Sequence, residues 1–101
     1  MLRTVKARFT TEERDLLIDG RMWMDPGLQE RIRKKRVRSG YISVELNEKE
    51  LTELIGSVAA EANHASKRDI AAILHEICDQ LESLEDELRH PDHHYFSTFR
   101  I

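Results

Sequence analysis

Six of the eight residues from Arg31 to Arg38 are cationic: Arg31, Arg33, Lys34, Lys35, Arg36 and Arg38. Nucleic-acid phosphates are the natural counterpart of that density, because each one neutralised releases condensed counterions. The competing reading is a solvated helix face, around which the run spreads instead of forming a stripe, paired with acidic residues further on. Glu61-Ala-Asn-His64 is a second constellation. A carboxylate and an imidazole three apart share a helix face and can grip one metal ion; di-iron bundles use two such pairs with two further Glu residues. Only one pair is present, so the plainer expectation is a Glu61–His64 hydrogen bond that fixes the turn. His90, His93 and His94 form a third cluster, with only Asp92 as a neighbouring carboxylate. That donor set falls short of a structural zinc site.

Nucleophilic catalysis finds no foothold. There is no G-x-S-x-G elbow, no glycine-rich phosphate loop and no paired thiol, and the four glycines do not cluster. Cys78 is the single cysteine, which excludes an internal disulfide and suits a reducing compartment. Beside Ile77 it reads as a buried, inert thiol. The chain is therefore expected to be non-enzymatic and without a cofactor.

These residues need elements to hold them. Asn47 followed by Glu50 has the form of a capping box. Leu51, Leu54, Ile55, Val58 and Ala62 then recur at helical spacing. Gly56 interrupts this helix at a cost of about 1 kcal/mol relative to Ala, which a close helix–helix contact would justify. After a turn near His64–Lys67, Ile70, Leu74, Ile77, Leu81, Leu84 and Leu88 alternate spacings of four and three, a coiled-coil seam that Pro91 terminates. At ~1.5 Å rise per residue the second helix overhangs the first by a turn or more. Leu84 and Leu88 then need another partner, either the N-terminal segment or a second copy, and Ile77, Leu81, Leu84 and Leu88 are the expected self-association surface of a homodimer.

Upstream, Leu2 to Thr10 alternates as a strand with Val5, Ala7 and Phe9 on one side and Thr4, Lys6 and Arg8 on the other. Thr10 with Glu13 opens a short helix to about Ile18, with Leu16, Leu17 and Ile18 inward. Trp23, between Met22 and Met24, reads as a core plug; exposed, it would mark a binding surface. Asp25-Pro26 begins another helix, with Leu28, Ile32 and the Lys35 stem inward and Ser39-Gly40 closing the segment. Tyr41 to Leu46 is a second strand, its Ile42, Val44 and Leu46 on one face. Two-stranded pairing of unspecified direction is expected. Strand, helix, helix over Tyr41–Leu84 invites a ribbon–helix–helix reading. Against it stand the length of the Asn47–Asn63 helix and the phosphate-repelling Glu45 beside Ser43 on the outward face. The tail His94–Ile101 is rich in strand formers and is expected to add a third strand, or an edge strand to another copy.

The fold class is thus α+β, predominantly helical, with a central helical hairpin and two or three short strands. It forms one domain: strand-helix-helix-strand over 1–46, the hairpin over 47–90 and the tail over 91–101. No apolar run approaches the ~18 residues of a membrane span. Arg3 and Lys6 are followed by no apolar stretch, so no secretory signal is read, and a cytoplasmic protein is expected. The net charge of −3 hides an asymmetry: 11 Lys/Arg against 7 Asp/Glu through Glu45, and 5 against 12 from Leu46 on. One half can meet an anionic partner, or opposite halves can meet in a dimer.

Phe9-Thr10-Thr11-Glu12-Glu13-Arg14-Asp15, Gly40 ahead of a strand, and Val58-Ala59-Ala60-Glu61-Ala62-Asn63-His64 together resemble a small bacterial domain in which an F-T-x-x-E-R-D segment precedes a V-A-A-E-A-N-H helix. The resemblance spans most of Phe9 to Leu84. It implies a bacterial intracellular setting, draws attention to Glu61, Asn63 and His64, and carries no catalytic residue with it. The leading expectation is a self-associating protein-interaction module with an unidentified protein partner. The alternatives are a nucleic-acid-binding regulator using residues 31–38, and a metal-binding protein using Glu61 and His64.

Overall fold

Strand β1 (Thr4–Thr10) alternates apolar and polar residues, and so does β2 (Tyr41–Asn47). In the computed structural model, which describes residues 3–19 and 22–89, the two pair antiparallel from Thr4↔Asn47 to Thr10↔Tyr41. One face of this ribbon carries Ala7, Phe9, Ile42, Val44 and Leu46 into the core; the other, with Lys6, Arg8, Tyr41, Ser43 and Glu45, is open. Period-two alternation places the aliphatic residues and Phe9 on one side and leaves Tyr41 on the other.

Between the strands lie α1 (Thr11–Ile18) and α2 (Pro26–Lys34); after β2 come α3 (Glu48–His64) and α4 (Arg68–Arg89). The fold is α+β and predominantly helical. Its helix starts follow the sequence signals. Thr10 and Glu13 form a capping box on α1, Asn47 and Glu50 form another on α3, and the Asp25 carboxylate accepts from Leu28 N–H ahead of Pro26. Of the three α1 residues expected inside, Leu17 is fully buried, while Leu16 and Ile18 are half-buried at the core's margin.

The α3–α4 hairpin supplies the other half of the core through Leu51, Leu54, Val58, Ala62, Leu74, Ile77 and Leu81. Two expectations for it are corrected. Arg89 pairs with Glu48 at 2.6 Å and Glu85 accepts from Thr52 Oγ1 at 2.8 Å, so the end of α4 is level with the start of α3. The surplus length sits at the turn. The seam has little apolar surface left over either: Ile77 and Leu81 are 0% exposed and Leu88 7%, with Ile70 and Leu84 half-buried against the same core. Strand β1 and helix α1 pack on α4 and cover what α3 does not. Ile77, Leu81, Leu84 and Leu88 are therefore core residues of one chain, not a surface for a second copy. Gly56 differs as well. It is exposed, with nothing within 4 Å of where a Cβ would lie, so no close helix contact explains it.

Both free edges of the ribbon are occupied. On β1, the Gln80 amide accepts from Arg8 N–H at 2.9 Å and donates to Arg8 C=O at 2.8 Å. On β2, Arg38 and Tyr41 exchange backbone hydrogen bonds of 2.8 and 3.0 Å, and the Arg31 guanidinium donates to Glu45 C=O. The Arg38–Tyr41 turn has Ser39 at φ 54° and Gly40 at φ 83°, both left-handed, as a two-residue type I′ hairpin requires. The outer edges are thus interrupted at Arg8 on β1 and at Tyr41 and Glu45 on β2. The third strand expected of the tail lies outside the described residues.

Candidate functional site

Helix α2 ends at Lys34, and Lys35 is already extended at ψ 136°. Ile32 is its last apolar residue facing inward, so nothing beyond it rewards another helical turn. The rest of the basic run leaves the helix and turns back along the outer edge of β2, held by the Arg38–Tyr41 pair. The expected helix through this run, with an inward Lys35 stem, is thus replaced by an extended segment whose Lys35 is exposed.

That bend has an electrostatic result. Arg31, Lys34, Lys35, Arg36 and Arg38 come to one side of an open hollow of ≈ 930 Å³ whose floor is the outer ribbon face, with Lys6, Arg8, Tyr41 and Ser43. Seven cations face one carboxylate, Glu45. Arg33 is the member of the run that does not line it; its guanidinium points to Glu30 at 3.6 Å. The cations also differ in freedom. Arg31 is tied to Glu50 at 2.6 Å and to the β2 edge, so its first role is structural. Lys34 has Glu30 at 3.6 Å. Lys6, Arg8, Lys35, Arg36 and Arg38 form no ion pair with a described residue, although Lys6 is directly cross-strand from Glu45. The guanidinium of Arg8 lies over the Tyr41 ring, 4.7 Å from its centroid, a cation–π contact.

Lys6, Arg8 and Tyr41 were missing from the sequence-based candidates. Their outward orientation was readable from the alternation of each strand. What joins them to residues 34–38 is the pairing register and the hairpin at Ser39-Gly40, which no local pattern specifies.

Glu61 and His64 lie near the end of α3, half-buried and exposed respectively, with no hydrogen bond between them. The expected Glu–His contact is not formed, and among the described residues no third His, Cys, Asp or Glu joins them as a metal ligand set. His90, His93 and His94 lie outside the described residues. Cys78 is buried as expected; burial first, then the charges of Glu82 and Asp79, push its thiol pKa up. No described polar or charged side chain is buried.

Trp23 reverses its expectation. It is 63% exposed while Met22 and Met24 on either side are buried, so the connector is anchored by its methionines and holds the indole outward. It walls a groove of ≈ 710 Å³ along the outer face of α3, over Glu53, Gly56, Ala60 and Glu61. The pattern Met-Trp-Met carried the signal in its alternation, since adjacent residues of an extended connector point opposite ways.

No described helix is long and apolar enough to cross a membrane. Comparison of the chain with protein-family models, curated proteins and solved structures finds no match.

Proposed function

We infer that this chain is a non-enzymatic nucleic-acid-binding protein that holds the phosphate backbone in the hollow between the ribbon and residues 34–38. The observation that carries this reading is the ratio of seven cations to one carboxylate around a single open concavity. Backbone contact is favoured over base stacking. The hollow offers one aromatic side chain, Tyr41, and one face of its ring is already covered by Arg8, whereas stacking platforms present several free rings. Phosphate contacts position a protein without reading sequence, so weak sequence preference goes with the proposal. A bacterial, cytoplasmic setting fits it. A self-associating interaction module now draws support from Trp23, not from the α4 seam.

The test is a salt series of binding to labelled duplex and single-stranded oligonucleotides followed by anisotropy. Each neutralised phosphate contributes about −0.9 to the slope of log K against log salt on duplex and about −0.7 on single strands. Engagement of Lys6, Arg8, Lys35, Arg36 and Arg38 therefore gives a duplex slope of about −4 to −5. Arg36→Gln with Arg38→Gln makes that slope shallower by about 2. Absent binding, or binding indifferent to salt and to this double change, overturns the reading.

A further inference from the structure

Three large apolar side chains are exposed on the described surface: Trp23, Tyr41 at 41% and Val37 at 38%. Trp23 and Val37 occupy surfaces of opposite charge. The Trp23 groove has Glu53 and Glu61 on its margins and no Lys or Arg among its lining residues. Val37 lies in the stretch Lys35-Arg36-Val37-Arg38 beyond the end of α2, an apolar side chain between cations. Gly56 and Ala60 give the groove a shallow floor, with open space above Gly56. We propose that the Trp23 groove of one copy receives the Lys35–Arg38 segment of another, Val37 resting against the indole over Gly56 and the flanking cations facing Glu53 and Glu61.

A chain cannot make this contact with itself. Trp23 precedes α2 and Lys35 follows it, and nine helical residues hold the two ends about 13 Å apart. The contact joins two different patches, so two copies either exchange it reciprocally about a two-fold axis or repeat it head to tail, closing into a ring if the rotation permits and otherwise extending as a chain. A two-fold alternative, groove on groove, would set Glu53 and Glu61 against their own copies without a cation between them. The inference stands apart from nucleic-acid binding but shares its cations, so a bound oligonucleotide competes with assembly.

Mass measurement by light scattering on nucleic-acid-free protein at low salt, over a range of concentrations, tests it. The mass is expected to climb above the 11.8 kDa of one chain. Trp23→Ser and Val37→Asp are each expected to remain at single-chain mass, with unchanged circular dichroism because both side chains are exposed. Mixed together, they restore a one-to-one complex, since each retains the half the other has lost. Glu53→Lys with Glu61→Lys abolishes assembly without touching the apolar residues and serves if Trp23→Ser folds poorly. A wild-type chain that stays single at every concentration, assembly that survives these changes, or variants that fail to complement would overturn the proposal.

Discussion

Replacing Gly56 with Ala isolates one term of the stability of α3. Gly56 is the ninth of the helix's 17 residues, exposed, with nothing within 4 Å of the position a methyl would take. No clash and no burial accompany the change, so the intrinsic difference between Gly and Ala in a helix interior remains, about 1 kcal/mol in favour of Ala. For a domain of this length that corresponds to a rise of about 4–8 °C in Tm. Thermal unfolding followed by far-UV circular dichroism, at a dilution where the protein is a single chain, reads it directly. The same methyl fills the floor of the Trp23 groove, so association of concentrated protein weakens while the single chain becomes more stable. A Tm that falls in dilute solution would refute the reasoning, because something within the chain would then have to occupy the space over Gly56.

Leu81→Ala removes a side chain enclosed by its own chain and should cost about 2–5 kcal/mol in urea unfolding; a loss below about 1 kcal/mol would mean that the seam is not enclosed as described. Gln80→Ala strips both hydrogen bonds from the β1 edge, at about 0.5–1.5 kcal/mol each and nearer the lower figure where water can replace them; faster amide exchange at Arg8 specifically is the measurement. The thiol of Cys78 should react with alkylating reagents far more slowly in the native protein than after unfolding. Its raised folded pKa also gives a signed pH effect. That contribution is fully present below the unfolded value of about 8.5 and is lost as pH rises through the folded value. Wild type should therefore lose more stability between neutral and strongly alkaline pH than Cys78→Ala does.

Much of the architecture was legible because its signals are local. Thr10 with Glu13, Asn47 with Glu50 and Asp25 with Pro26 each mark a helix start within four residues, and the structure uses all three. The two strand alternations and the α3–α4 hairpin are readable for the same reason. What escaped was relational. The spare breadth of the α4 ridge calls for either the N-terminal segment or a second copy, and a linear pattern does not say which; β1 and α1 return to cover it. Likewise, local pattern puts the basic run on a helix although its second half lies beyond the end of α2, since the Ser39-Gly40 turn draws it back to β2. Trp23 was misplaced because a large aromatic in a small domain is ordinarily a core residue; its two methionine neighbours take that role instead.

A two-stranded sheet standing alone would normally invite further strands on both sides. In this chain a glutamine side chain occupies one side at Arg8, and an arginine side chain with a backbone turn occupies the other at Glu45 and Tyr41. Main-chain zippering along these edges, whose end point is the near-irreversible growth of fibrils, meets a side chain or a turn at those positions, whereas the charge, indole and valine displayed elsewhere offer contacts that form and release readily.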